Sequence, residues 1–436
     1  MDYLNQFKEN PCDCCSESHL ALTKDIIVGK AVLDDICNII ARNNLPDDVL
    51  VVYDKNTYSA TDGVVTKKLN ENGFKVREYM FNVSAHANEE CVGLLMFAMV
   101  NSPKMIIGIG SGSICDLSRF CAYKLNIPFM ICGTAPSMDG YASTVAAMTV
   151  SGIKKSFVTT YPTVIIGDLD VLKNAPIDMI ASGFGDIAGK VSALLDWKLG
   201  RIVTKEHYCE KIVQLTNTAV NKCFEAGSGL KDRNENAIEM LMNALSISGI
   251  TMQLNGNSRP ASGAEHHISH FLEMTDEIKD RKGAYHGAKV GMASQITLRL
   301  YEKLFSDGIK ELKTRCCEQS VIDGIKCSYG SLSKDIVSNI SDIYIDEKAM
   351  TDAIEKNYNV IKLNVETFAE IREKTACMIK QCKGSIKPQD LGYTREIMYN
   401  AIVYSRFMRK RFTILTALAN WGLLEQYANE VLDEIF

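Results

Sequence analysis

KMIIGIGSGSICDLSRFCAYKLNIPFMICG, residues 104–133, decides how the first half of the chain is read. Lys104–Ile109 is a short apolar run, the pattern of a strand buried on both faces. Gly108, Gly110 and Gly112 then supply a tight turn. Ile114–Leu125 spaces its apolar residues as a helix, and Pro128–Cys132 is apolar again. Strand, glycine turn, helix and strand make a unit that predicts parallel pairing. Working outward, Asp48–Tyr53 (DVLVVY) and Phe74–Phe81 read as earlier strands and Thr163–Gly167 as a later one. Helices are expected over Thr57–Asn72 and Asn88–Val100. Beyond Asp170 the period changes to long amphipathic helices over Ile177–Gly200, Glu206–Ala226, Asn234–Gln253, Ala288–Phe305, Asp346–Lys383 and Thr394–Glu434. The stretch 306–346 has mixed periodicity. The expected architecture is an α/β N-terminal domain with a parallel sheet, residues 1–170, followed by an all-helical C-terminal domain, residues 171–436.

The 436 residues are 46% hydrophobic and 23% charged, enough apolar content for sizeable cores. The formal charge of −5 shows no basic stripe, so no nucleic-acid partner is expected. The longest strongly apolar stretch, Cys91–Val100, is far short of the roughly 20 residues that cross a bilayer. No membrane insertion is expected. The opening residues carry neither a basic start nor an apolar signal segment, so a cytoplasmic protein with free thiols is expected from its 15 cysteines.

The glycines at 108, 110 and 112 let the backbone approach a pyrophosphate, and the following helix aims its free N–H groups at the anion. The alternative is a plain strand-to-helix turn. The strand-loop-helix context favours binding, although the usual dinucleotide fingerprint follows the first strand and this one follows the third. The acidic residue ending the first expected strand is Asp54, placed to meet a ribose hydroxyl. After the next strand, the loop 133–143 (GTAPSMDGYAS) offers the hydroxyls of Thr134, Ser137 and Ser143 at the sheet's C-terminal edge. The same residues also serve as helix caps.

Four of seven histidines fall between 266 and 286. His266 and His270 are four apart and share a helix face, while His267 points elsewhere and reads as structural. His286 precedes Gly287 at the start of the next helix, and Asp186 occupies a glycine-flanked helix start in SGFGDIAGK, residues 182–190. A carboxylate and two imidazoles would make a three-ligand metal site with open positions. The HHISH segment lacks the glutamate that a zinc peptidase needs immediately after its first histidine. Cys12, Cys14, Cys15 and His19 have poor spacing for a structural zinc.

Taken in order, GIGSGSICD (108–116), TAPSMDGYAS (134–143), SGFGDIAGK (182–190), SGAEHHISH (262–270) and HGAKVG (286–291) resemble the sn-glycerol-1-phosphate dehydrogenase family. The likeness is to its bacterial AraM-type members, within the iron-containing alcohol dehydrogenase superfamily. The resemblance implies a dehydroquinate synthase-like architecture, a dinucleotide-binding N-terminal domain and a metal- and substrate-binding helical domain. It implies that Asp54, Gly112, Ser113, Ile114, Cys115, Asp116, Thr134, Ala135, Pro136, Ser137 and Ser143 bind NADH or NADPH. It further implies that Asp186, His266 and His286 hold one divalent metal, nickel or zinc ahead of iron. Asp139, Asp186 and His270 would contact substrate, His270 with Asp186 at the reacting centre.

The implied reaction is reversible reduction of dihydroxyacetone phosphate to sn-glycerol 1-phosphate, a step in phospholipid biosynthesis, by a cytoplasmic homodimer. The family pattern gives no role to the N-terminal cysteines. Glycerol dehydrogenase or another polyol dehydrogenase is the alternative. Further off stand a dehydroquinate synthase-type lyase and a non-catalytic dinucleotide-binding protein. A phosphorylated triose needs a cation in a closed cleft. Arg259, seven residues before His266, is the first candidate, with Lys190 and Lys289 behind it.

Overall fold

A computed structural model describes residues 7, 11–82, 84–99, 102–151, 153–307, 318–330, 333–337, 340, 346–382 and 384–436. Val100 and Lys383, the expected ends of two helices, lie outside the described residues, as does much of 306–346. The chain divides into two compact units: Met1–Phe184 with Thr218–Asn257, and Gly185–Asn217 with Ser258–Phe436. The division is therefore not a single cut near Asp170. The helix Glu235–Asn255 belongs to the first unit, where Gly249 packs against Ala142.

The first unit is built on six parallel strands: β1 (Asp25–Gly29), β2 (Asp48–Asp54), β3 (Lys75–Phe81), β4 (Met105–Gly110), β5 (Phe129–Gly133) and β8 (Val164–Asp168). Their order is β1-β8-β5-β4-β2-β3. Register places Val51 opposite Ile107 and Ile107 opposite Met130, so one face of the sheet carries a continuous apolar layer. Ile36, Ile39 and Ile40 of the helix Ile36–Arg42 cover that layer, with Val65 and Leu69. Every residue of β2, β4, β5 and β8 is buried, as expected of a parallel sheet covered on both faces. The expected α/β fold class is what forms.

Strand β1 (DIIVG) was not expected, because it is short and pairs only with β8, far away in sequence. Nor was the antiparallel hairpin of β6 (Val145–Val150) and β7 (Ile153–Val158), whose second strand, IKKSFV, breaks its apolar pattern with two lysines. The single helix expected over 57–72 is two, Lys55–Thr61 and Val64–Glu71. Asp62 and Gly63 both take left-handed φ values, 48° and 61°, and break the hydrogen-bond ladder between them.

Chain order reverses between β2 and β4, the switch point at which open α/β sheets bind ligands beyond the strands' C-terminal ends. One buried cation shapes that edge. Arg119, on the helix Gly112–Leu125, is fully enclosed and donates to the carbonyls of Gly140 (2.6 Å), Tyr141 (2.9 Å) and Val145 (2.6 Å). It also pairs with Asp116 at 3.3 Å. Replacing Arg119 with leucine should leave three carbonyls and a carboxylate without their donor. The expected loss is about 3 kcal/mol or more in denaturant unfolding. An unchanged midpoint would show that the loop 139–145 does not depend on it.

Candidate functional site

The second unit assembles its polar centre from three helices that approach closely because of glycine. Asp186 lies on the helix Ile177–Thr204, His266 and His270 on Ala264–Ile278, and His286 is the first residue of His286–Asp307. A methyl group on Gly185 would stand 2.4 Å from the carbonyl oxygen of Gly287, and one on Gly291 would stand 2.8 Å from the Cα of Gly185. These contacts allow the first and third helices to touch backbone to backbone. Asp186 and His286, one residue from the contact on each side, are thereby brought together.

Asp186, His266 and His286 present ligand atoms that all lie within 4.8 Å of one another. His266 Nε2 is 3.7 Å from Asp186 Oδ1. Asp186 is fully buried, His266 nearly so, and His286 is partly open. The donor set, one carboxylate and two imidazoles, suits a borderline divalent ion. The groups behind the triad reinforce that fit. Glu265 Oε1 lies 2.7 Å from His266 Nδ1 and Glu273 Oε1 lies 2.7 Å from His286 Nδ1. A carboxylate on Nδ1 turns the lone pair of Nε2 outward and makes the ring a better ligand. Glu265 is itself held by the Gly263 N–H and the Ser192 hydroxyl, and burial raises its pKa.

His270 sits beside the triad, its ring centroid 6.1 Å from that of His266 and 5.4 Å from that of His286. Its Nδ1 is 3.2 Å from Glu273 Oε2, so one carboxylate spans both His270 and His286. Burial pushes His270 down to about 4, against the upward pull of Glu273, and the ring is neutral at pH 7. His267 is fully buried and held well below its ordinary pKa, by burial first and then by Arg409 and Arg411. It takes no part in the triad. Asp196, on the same helix as Asp186, accepts from the N–H groups of Ala264 (2.6 Å) and Ile414 (2.7 Å) and from the Tyr301 hydroxyl (2.7 Å). It thereby fixes the start of the histidine helix.

In the first unit, β4 ends at Gly110, and Ser111 precedes the helix without a side-chain cap. The N–H groups of Gly112, Ser113 and Ile114 are left to an outside partner, whereas that of Cys115 bonds Ser111 O. The Cys115 thiol is buried and pushed up to about 12, and Asp116 is engaged by Arg119 and the Ala147 N–H. From this stretch, therefore, main chain faces outward rather than the side chains of Cys115 and Asp116. Asp54 caps the helix Lys55–Thr61, accepting from Asn56 and Thr57 N–H groups at 2.9 Å. Ser137 O accepts from Ser182, the Tyr141 hydroxyl bonds Ala135 O, and Ser143 Oγ accepts from Val145 N–H. Asp139 is buried and accepts from the Ser248 hydroxyl at 2.8 Å. Thr134 and Pro136 complete the loop, whose Pro136 carbonyl oxygen lies close enough to Gly183 to exclude any side chain there. Farther along the first unit, Cys12 and Cys14 lie 3.4 Å apart at sulfur, and Cys15 is 3.1 Å from His19 Nε2.

A family model described as iron-containing alcohol dehydrogenase matches residues 27–176. The chain is 30% identical over 385 residues to a glycerol-1-phosphate dehydrogenase (NAD(P)+) of Geobacillus thermodenitrificans (strain NG80-2), covering 86% of this chain and 88% of that one. The chain belongs to the glycerol-1-phosphate dehydrogenase family. An archaeal member from Pyrococcus horikoshii is 33% identical over 279 residues, 64% of this chain and 78% of that one. Among solved structures, a probable glycerol dehydrogenase from Sinorhizobium meliloti 1021 superposes with a TM-score of 0.61 at 13% identity, over 94% of this chain and 98% of that one. Maleylacetate reductase from Rhizobium sp. strain MTP-10005 gives 0.59 at 13% identity, over 96% and 97%. At these identities the superpositions show the shared fold.

Within this member of the glycerol-1-phosphate dehydrogenase family, the three cations expected at a substrate phosphate are each paired with a carboxylate. Arg259 is buried in a two-point pair with Glu206, at 2.9 and 2.6 Å, and donates to the carbonyls of Asp196 and Phe412. Lys190 pairs with Asp186 at 2.6 Å, both fully buried, and Lys289 pairs with Asp276 at 2.9 Å. Each neutralises a carboxylate of its own. Of the two supporting carboxylates, Glu273 stands three residues after His270 on one helix face, whereas Glu265, adjacent to His266, reads in the sequence only as misplaced for a peptidase base.

Two outcomes are expected. Glu265→Gln should weaken metal affinity about 10- to 100-fold, measured by competition with a chelating dye; unchanged affinity would remove Glu265 from the support of His266. Arg259→Ala should lower unfolding stability by about 3 kcal/mol and leave the KM for phosphorylated substrate within about threefold. A selective rise in KM would return Arg259 to the phosphate site.

Proposed function

We propose that the protein is a metal-dependent sn-glycerol-1-phosphate dehydrogenase that reduces the C2 carbonyl of dihydroxyacetone phosphate with NADH or NADPH, reversibly. The observation that carries the reading is the convergence of Asp186, His266 and His286 within 4.8 Å, each imidazole backed by its own carboxylate, in a chain of this family. Those three side chains would hold a nickel or zinc ion, with iron third. Such an ion supplies Lewis acidity that polarises a carbonyl oxygen and favours the negative charge that grows there as hydride arrives. The dinucleotide supplies the hydride. We assign its pyrophosphate to the N–H groups of Gly112, Ser113 and Ile114, and its ribose to the neighbourhood of Asp54.

The chain's own residues handle the proton. Glu273 receives the Nδ1 hydrogen of His270, which leaves the lone pair on Nε2, beside Arg409 Nη2 at 3.5 Å, as the basic position of the ring. In the oxidative direction Nε2 takes the proton of the C2 hydroxyl, and in reduction it returns a proton to the same oxygen. A ring held neutral at pH 7 can perform that exchange without placing a standing cation beside the metal ligands. Among the described residues no helix is long and apolar enough to cross a membrane. A cytoplasmic homodimer acting on a small phosphorylated triose fits the reading.

The test is a panel of dihydroxyacetone phosphate, dihydroxyacetone and glyceraldehyde 3-phosphate, followed by NADH oxidation with and without chelator. Dihydroxyacetone phosphate should be the preferred substrate. Chelation, or the change Asp186→Asn, should lower the rate at least about a hundredfold. Preference for the unphosphorylated triose would make the protein a polyol dehydrogenase instead.

A further inference from the structure

We propose that Arg409 and Arg411 bind the phosphate of the substrate and thereby select a phosphorylated triose over a free one. The proposal deepens the reading above and rests on it. The segment 405–412, SRFMRKRF, leaves the turn Ser405–Phe407 and runs past the histidine helix. Arg409 Nη2 lies 3.5 Å from His270 Nε2, and its Nη1 lies 3.4 Å from Ser258 Oγ. Arg411 Nη2 donates to the same Ser258 oxygen at 2.9 Å, and its Nη1 donates to Ser262 O at 3.3 Å. Two guanidinium groups therefore converge on one neutral hydroxyl.

Among the described residues, no carboxylate lies within ion-pair distance of either arginine. That sets them apart from Arg259, Lys190 and Lys289, each of which has one. Burial lowers the pKa of Arg409, and burial followed by repulsion from Arg409 pushes Arg411 down to about 9. Two half-buried cations facing one another are unfavourable unless an anion joins them. A phosphate monoester carries close to two negative charges and offers oxygens to both planar forks at once. A hydroxyl such as that of Ser258 completes the donor set.

Position supports the assignment. Arg409 approaches Nε2 of His270, the nitrogen assigned above to the proton exchange, and the centroid of the same ring lies 6.1 Å from that of His266 and 5.4 Å from that of His286. Phosphate and reacting carbon are separated in a three-carbon substrate by a similarly short span. Glycerol and dihydroxyacetone carry no charge and would leave the two cations unjoined.

The experiment compares Arg409→Gln, Arg411→Gln and the matching lysine variants, using metal-loaded protein. KM for dihydroxyacetone phosphate should rise roughly tenfold or more for each glutamine variant, with partial recovery for lysine. The ratio of kcat/KM for dihydroxyacetone phosphate to that for dihydroxyacetone should fall, most directly in Arg411→Gln, which does not touch His270, and the affinity for NADH should stay within about threefold of the unaltered protein. An unchanged KM for dihydroxyacetone phosphate in folded variants overturns the proposal. If the unaltered, metal-loaded protein does not turn over dihydroxyacetone phosphate, the functional reading fails instead, before any variant is made. Should the variants not fold, the unaltered protein is treated with phenylglyoxal, with and without inorganic phosphate. Protection of the peptide containing Arg409 and Arg411 supports the proposal, and modification indifferent to phosphate overturns it.

Discussion

The contact of Gly185 with Gly287 and Gly291 is the constraint on which the second unit rests. Two helices approach so closely that a single added methyl on either side would collide with main chain. Asp186 and His286 stand next to that contact, so the separation of two candidate metal ligands is set by the absence of side chains beside them. Interiors pack at crystal density and transmit displacements. A small shift of either helix would accordingly move Asp186 or His286 by a similar distance and pull the triad apart without either side chain having been changed.

Around this contact the unit buries an unusual amount of charge and distributes it by pairing. Asp196 gathers three donors at the start of two helices, Glu265 gathers Gly263, Ser192 and His266, and Glu273 lies between two imidazoles. Buried carboxylates are costly unless their oxygens are filled. Here the same bonds that satisfy the carboxylates also fix ring orientation, so stabilising the fold and aiming the ligands are one act.

Much of this was legible in the residues. The strand-glycine-helix run at 104–125 placed the sheet, because parallel strands leave local signatures in apolar runs bounded by glycine. The glycines flanking Asp186 and following His286 read in the sequence only as helix starts, and their close contact is a product of the fold. What escaped was non-local. Strand β1 is recognisable only through its partner β8. Arg259 looked available because its partner, Glu206, is 53 residues earlier and a linear reading cannot pair them. Arg409 and Arg411 gave no signal for the same reason, since it is the fold that carries the segment 405–412 back to Ser258 and His270. Of the two glutamates behind the histidines, Glu273 was within reach of a helical reading, and only proximity to ring nitrogens gave either its meaning.

The pairing of Lys190 with Asp186 bears on how such a centre is filled. Both groups are fully enclosed and 2.6 Å apart, so the carboxylate already has a counter-charge of its own. A divalent cation held by Asp186 would compete with that ammonium for the same oxygen. Loading would thus be an exchange of one positive partner for another.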